Sequence, residues 1–202
     1  MAGYALVEPL QTERLRLRPY GEEDFDALFA MRSNPESVRY LYIEPQTEDE
    51  VRATLARKIA GTSVVVEGDV LALAAELRAT GEVVADVLLH WVSREHALGE
   101  IGYCVHPAHA GCGYATEATR PLLEVAFDAL ALHRVIGRLE ARNAASARVL
   151  EKLGLRLEAH LVENEWVKDE WQSELVYAIL DREWRAIRRV RRPVGLGQGP
   201  PA

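Results

Sequence analysis

The decapeptide from His109 to Ala118, HAGCGYATEA, sets Gly111 and Gly113 around Cys112 and follows them with Tyr114, Ala115 and Thr116. Glycines at this spacing let a backbone approach a ligand closely, or turn through positive φ where other residues clash. A strand-like run, GEIGYCVH (99–106), precedes them, and a helical pattern follows. A helix start offers unpaired backbone N–H groups and the positive end of the macrodipole, a natural seat for phosphate. Thr116 can add a hydroxyl. The same residues also suit a plain strand-to-helix turn, and two glycines alone do not separate the two readings.

Both common nucleotide folds fit badly. A dinucleotide fingerprint wants a third glycine where Thr116 stands, near the start of a βαβ unit, and an acid nearer than Glu140. A P-loop needs a Gly-Lys-Ser/Thr ending, which is missing. Cys104 and Cys112 are the only cysteines, and their spacing matches no zinc or disulfide framework. Cys104 reads as a small apolar filler rather than a nucleophile. His90, His106 and His133 have no acidic partner at a diagnostic spacing, and each reads as structural.

The elements that must position the glycine turn follow from periodicity. Leu15–Arg18 alternates apolar and basic residues, the period of a half-buried strand. Phe25, Leu28, Phe29 and Arg32 lie at helical spacing until SNPE (33–36) breaks it. Thr47 with Glu50 is a capping-box pattern for a second helix, striped by Val51, Leu55 and Ile59 and ended by Gly61. VLALAAEL (70–77) and VVADVLLHWV (83–92) flank Gly81 as a hairpin, and GEIGYCVH makes a third strand. Thr116–Leu130 is the clearest helix. A strand, HRVIGRLEARN (133–143), then a helix, NAASARVLEKLGL (143–155), come next. Two strands, RLEAHLVENEW (156–166) and WQSELVYAIL (171–180), flank the turn VKDE. Strands and helices alternate only in the second half, which points to a mixed sheet and not to a regular doubly wound fold.

Of 202 residues, 49% are hydrophobic and 27% charged, the balance of an ordinary globular protein able to build a sizeable core. One domain over residues 1–184 is expected, then a basic, Gly/Pro-rich tail over 185–202, solvated and mobile. The net charge of −7 argues against a broad nucleic-acid footprint, despite six arginines between Arg182 and Arg192. No run of about 18 apolar residues is long enough for a membrane helix. The first residues lack the basic and apolar regions of a secretory signal, so a reducing cytoplasm is the expected compartment.

EIGYCVHPAHAGCGYATEAT (100–119), followed by NAASARVLEKLGL, resembles the GNAT superfamily of acyl-CoA N-acyltransferases, and within it the RimJ/RimL-like ribosomal-protein N-terminal acetyltransferases. The likeness runs from LQTERLRLRPY (10–20) to LVYAILDREW (175–184). It implies an α/β fold of the α+β type. A central mixed, mostly antiparallel sheet would have a V-shaped splay between two parallel strands and about four flanking helices. The co-substrate would be acetyl-CoA, with no metal. The strand bearing Tyr103, Cys104 and Val105 would splay from that bearing Val135–Leu139, and pantetheine would pair with the free edge. The pyrophosphate would sit on the amides of Gly111, Cys112, Gly113, Tyr114, Ala115 and Thr116. Asn143 would hydrogen-bond the cofactor. The chain departs from the family at Ala108, where Gln or Arg is frequent, at Cys112, where a base is common, and at His109–Ala110, where the family carries an aromatic pair. Outlying Arg142 or Arg148 would then supply charge.

Aminolysis of a thioester needs alignment of its reactants but neither a metal nor an enzyme nucleophile. By the resemblance, a backbone N–H near Val105 would hold the oxyanion. Glu100, on the strand beside the thioester, would act as base, directly or through water, unless it is an ordinary edge carboxylate. Glu163 and His160 are lesser candidates. Many relatives carry an acid Tyr where this chain has Leu150; the RimL-like branch carries a Ser matched by Ser146, a residue type also favoured at helix starts. The resemblance implies a protein N-terminal α-amine as acceptor, in a homodimeric enzyme. A polyamine or antibiotic amine, a succinyl donor, and an acyl-CoA-binding module without turnover are the rival readings. Trp166 and Trp171 flank the last turn, as walls of an acceptor cleft or of a dimer seam.

Overall fold

The computed structural model describes residues 3–191. In chain order the first half holds β1 (Tyr4–Ala5), β2 (Leu10–Gln11), β3 (Leu15–Arg18), α1 (Phe25–Arg32), α2 (Pro35–Val38), α3 (Glu48–Ala60), β4 (Ser63–Val64), β5 (Val70–Leu77) and β6 (Val83–Ser93). The second half holds β7 (Leu98–Val105), α4 (Tyr114–Glu124), β8 (Arg134–Glu140), α5 (Ala144–Leu153), β9 (Arg156–Val167), β10 (Glu170–Leu180) and α6 (Asp181–Arg191). β1 and β4 form a small ribbon, and the others join one eight-stranded sheet in the order β2-β3-β5-β6-β7-β8-β10-β9. Every neighbouring pair in this sheet is antiparallel except β7 and β8.

That parallel pair shapes the molecule. β7 and β8 are hydrogen-bonded at their N-terminal ends, through Leu98↔Arg134, Gly99↔Val135 and Glu100↔Ile136. Beyond Glu100 the ladder stops, although β7 runs on to Val105 and β8 to Glu140. Each strand keeps its other neighbour throughout: Val105 pairs with Ala85 of β6, and Glu140 with Glu174 of β10. The sheet therefore splits into a V at its centre and exposes one backbone edge of β7.

Helices cover both faces. On one, Leu122, Leu123, Phe127, Leu150, Leu153 and Trp184 pack on Trp91, Ile101, Val135 and Ile179, all buried. On the other, Leu28, Met31, Val51 and Leu55 pack on Ala74, Val83 and Cys104. Burial from both sides explains VLALAAEL: six consecutive residues of β5, Leu71–Glu76, are buried, so the run shows no alternation. The Thr47–Glu50 capping box opens α3 as its spacing predicts, with the Thr47 backbone N–H donating to Glu50 Oε2 at 2.7 Å.

Four helices are legible in the sequence, α1, α3, α4 and α5; the single-turn α2 and α6 are additional. The last is a correction. Residues 185–191 continue a helix rather than entering a basic tail, while 192–202 lie outside the described residues. The reason is amphipathicity: Trp184 is fully buried against Phe127, at 6.2 Å between ring centroids, and Ile187 packs on the core three residues later. Arg182, Arg185, Arg188 and Arg189 line the exposed side.

Candidate active site

A cleft of about 730 Å³ opens along the V, lined by β7, β8, the glycine turn, α4, α5 and the segment after α1. At one end, Gly111 and Gly113 take positive φ, +80° and +83°, so both glycines serve the turn. Gly113 is the N-cap of α4 and provides no side-chain cap. Thr47 and Asn143 do cap α3 and α5 with side-chain oxygens. The first-turn amides of Tyr114, Ala115 and Thr116 thus face the cleft with no side chain answering them, the arrangement that receives an anion. Arg148, Lys152 and His109 add cationic or titratable groups to the lining. His109 Nε2 lies 2.8 Å from Glu82 Oε1. Arg14 braces the turn, donating Nη1–H to the Cys112 carbonyl at 3.2 Å and bridging to Glu117.

Midway, Tyr103 of β7 meets Ser146 of α5. The Tyr103 hydroxyl lies 3.0 Å from the Ser146 carbonyl oxygen and 2.8 Å from Ser146 Oγ. Burial pushes the Tyr103 phenol up to about 12, so it stays protonated and remains a donor. Asn143 Oδ1 accepts from the Ser146 backbone N–H at 3.0 Å, which fixes the first turn of α5. Leu150, where many relatives carry Tyr, is buried against Gly137: a Cβ there would meet Leu150 Cδ2 at 2.8 Å. The close approach of α5 to β8 uses that position for packing.

The opposite end is built from charged side chains on the α1–α3 face of the sheet. Arg138 Nε donates to Glu100 Oε1 at 3.1 Å, and Arg138 Nη1 lies 3.8 Å from Glu174. Glu174 is 3% exposed and accepts from the Tyr42 hydroxyl at 3.1 Å. Further along, buried Asp86 takes Lys58 Nζ at 2.7 Å and the Tyr20 hydroxyl at 3.0 Å on Oδ1, and Arg32 Nη2 at 3.0 Å on Oδ2. Burial raises the Asp86 carboxyl, but Lys58 and Arg32 outweigh it and hold the group below the usual carboxylate range. Burial pushes the Cys104 thiol up to about 11, so it is no thiolate near neutral pH.

The structure brings Glu100, Tyr103, Cys104, Val105, Gly111, Gly113, Tyr114, Ala115, Thr116, Asn143, Ser146 and Arg148 to this one cleft. Other sequence candidates fall elsewhere. The Cys112 side chain is exposed outside the cleft lining, its Sγ turned towards the Ala110 carbonyl, because the residue sits at the tip between two left-handed glycines. Arg142 is held by Glu140 and Glu170, at 2.8 and 2.5 Å, away from the cleft. His160 and Glu163 lie exposed on β9, the edge strand. Trp166 and Trp171 pack on each other, each 58% exposed and outside the lining. Sequence reasoning missed Arg32, Asp86, Arg138 and Lys152. Lys152 had a signal, one helical turn beyond Arg148; Asp86 and Arg138 come into place through sheet register, and Arg32 through the packing of α1 on the sheet. Among the described residues no group of three His, Cys, Asp or Glu side chains is placed to hold a metal ion.

Known proteins share this architecture. The uncharacterized N-acetyltransferase p20 of Bacillus licheniformis is 30% identical over 178 residues, covering 88% of this chain and 99% of the relative. FsC-acetyl coenzyme A-N(2)-transacetylase of Aspergillus fumigatus is 30% identical over 195 residues, covering 89% and 79%. The crystal structure of a GNAT-family acetyltransferase from Bacillus anthracis superposes with a TM-score of 0.77 at 27% identity, covering 86% of this chain and 99% of that one. The acetyltransferase (GNAT) domain family matches residues 14–156, which include the splayed strands, the glycine turn and α5. With its splayed sheet and its family match in agreement, the chain belongs to the GNAT family of acetyltransferases, which use acetyl-CoA as co-substrate.

Proposed function

We propose that the protein acetylates a primary amine from acetyl-CoA by direct attack in a ternary complex, with a protein N-terminal α-amine as acceptor and the cytoplasm as its compartment. The observation that carries this reading is the opened edge of β7 beyond Glu100, ending at an α4 N-terminus that no side chain caps. Pantetheine amides fit the free edge as an added strand, and the pyrophosphate fits the amides from Gly111 to Thr116. The thioester then lies between Glu100 and Ser146. Glu100 takes the proton of the attacking ammonium, directly or through water. Ser146 Oγ, oriented by the Tyr103 hydroxyl, donates a hydrogen bond to the departing thiolate. A protonated Cys104 favours direct attack over an acyl-enzyme. The α-amine acceptor rests on the RimJ/RimL-like residues of the two motif blocks. A small-molecule acceptor is the second reading; the Aspergillus relative is named as an FsC-acetyl coenzyme A-N(2)-transacetylase, and not as an enzyme of protein N-termini.

CoA release from acetyl-CoA, assayed against peptides with different N-termini, polyamines and aminoglycosides, decides between them. Release confined to peptides with a free α-amine supports the first reading; release with small amines alone overturns it. Glu100→Gln and Ser146→Ala should lower turnover while still binding acetyl-CoA. A protein that binds acetyl-CoA but turns over no acceptor would be a binding module.

A further inference from the structure

The acceptor end of the cleft carries two charge groups of opposite sign on one face of the sheet. Glu100 and Glu174 share Arg138, a surplus of one negative charge. Arg32 and Lys58 share Asp86, a surplus of one positive charge. Cross-strand register sets their separation: Asp86 lies opposite Cys104, and Glu100 opposite His90, four residues or about 13 Å along the strands.

Arg32 is incompletely used. Its side chain is 15% exposed and lines the cleft, and its recorded bond is Nη2 to Asp86. Its Nε is shut from solvent and has no hydrogen-bond partner. A guanidinium presents five donors in a fixed fork that suits a carboxylate or a carbonyl oxygen. A polyamine offers ammonium groups and no such oxygen. Its second cation would also meet Arg32, which lines the cleft with Lys58 buried behind it.

Resting on the acetyltransferase reading above, we propose that Arg32 is a specificity residue, whose cleft-lining guanidinium, only partly engaged by Asp86, takes a carbonyl or carboxylate oxygen of an acceptor held by its ammonium at Glu100. The acceptor is then a dipolar, peptide-like amine, with the oxygen two to three residues from the amine, since two hydrogen bonds of about 3 Å each leave roughly 7 Å of the separation for an extended chain of that length to span. Polycations are rejected.

Steady-state kinetics of the full chain with trialanine, trialanine amide, spermidine and n-butylamine test this. The wild type should favour trialanine over spermidine by at least a hundredfold in kcat/KM, with the amide between them. Arg32→Gln, which leaves Asp86 paired to Lys58, should raise the KM of trialanine about tenfold more than that of n-butylamine, and the change should fall on this KM rather than on that of acetyl-CoA. Arg32→Lys should recover only part of it, because the fork is lost. Spermidine turned over as well as trialanine, or an equal penalty on both amines, overturns the proposal. If no acceptor is acetylated, calorimetric titration of N-acetyltrialanine into the CoA complex replaces turnover. Binding that Arg32→Gln abolishes supports the proposal; no binding, with acetyl-CoA still bound, overturns it. Failure to bind acetyl-CoA overturns the reading on which it rests.

Discussion

The two ends of the cleft are built from different materials. At the end proposed for the acyl donor the chemistry belongs to backbone: uncapped amides of α4, a bare edge of β7, and glycines that let them be reached. At the acceptor end it belongs to long side chains from α1, α3, β6, β7, β8 and β10. Backbone geometry is shared by every chain of this fold, so the donor end suits one invariant ligand. Side-chain charge varies independently of fold, so the acceptor end is where a family with one co-substrate distinguishes its substrates.

This contrast breaks most visibly at Asp86. Asp86→Asn leaves Lys58 and Arg32 buried without their counter-charge, a change that costs about 3–5 kcal/mol. At roughly 2–4 °C per kcal/mol for a chain of this size, calorimetry should find the melting temperature about 10 °C lower. Lys58→Met in the same chain should restore part of the loss by removing one orphaned cation. The pH dependence has a definite sign. The folded carboxyl is depressed, so its stabilisation is present above the unfolded value of about 3.9 and is lost as pH falls through the lower folded value. The gap between wild type and Asp86→Asn should therefore close in acid.

Smaller effects are expected at the donor end. Gly113→Val forces a β-branched residue into the left-handed region at φ +83° and withdraws the α4 amides. Calorimetric titration should show acetyl-CoA bound about 30-fold more weakly, roughly 2 kcal/mol, and acceptor preference unaltered. Ser146→Ala should lower kcat about tenfold, near 1.4 kcal/mol of barrier, with the KM of acetyl-CoA within about twofold. Tyr103→Phe should follow it in direction with a smaller loss, because it only orients Ser146. A change in acceptor preference from any of these three variants would mean that the two ends are not separable.

The same division decides what the sequence reveals. Gly111, Gly113 and the helix after them are contiguous, and positive φ at a helix start is written in residue type. Asn143 and Ser146 are legible through the resemblance, whereas the cap that Asn143 makes on the first turn of α5 is seen only in the structure. Arg32, Asp86, Arg138 and Glu174 lie on four elements far apart in the chain, and only sheet register together with the packing of α1 brings them to one face. Asp86 is further hidden inside VVADVLLHWV, where a lone acid looks like a polar interruption of a strand. The splay itself is invisible without the resemblance, since it consists of hydrogen bonds that β7 and β8 do not make. Residues 185–191 read as tail for an opposite reason: six arginines dominate the composition, while Trp184 and Ile187, three residues apart, carry the helical signal.

Where the acceptor end stops is tested by the tryptophan pair, and here the expected effect is least. Trp166 and Trp171 face each other across β9 and β10, with ring centroids 5.4 Å apart, at the end of the hairpin turned by Lys168 and Asp169. Lys168 ties this turn to the acceptor-side segment after α1, donating to the Val38 and Arg39 carbonyls at 2.6 and 3.0 Å. The rings themselves stay outside the cleft lining. An aromatic pair of this kind contributes about 0.5–1.5 kcal/mol beyond its burial. Trp171→Ala should then lower the melting temperature by a few degrees, about 2–4 °C per kcal/mol, and leave kcat/KM within about twofold for every acceptor. A tenfold loss confined to peptide acceptors would instead extend the acceptor site along the hairpin, beyond Glu174, and would make the tryptophans the floor on which the rest of the peptide lies.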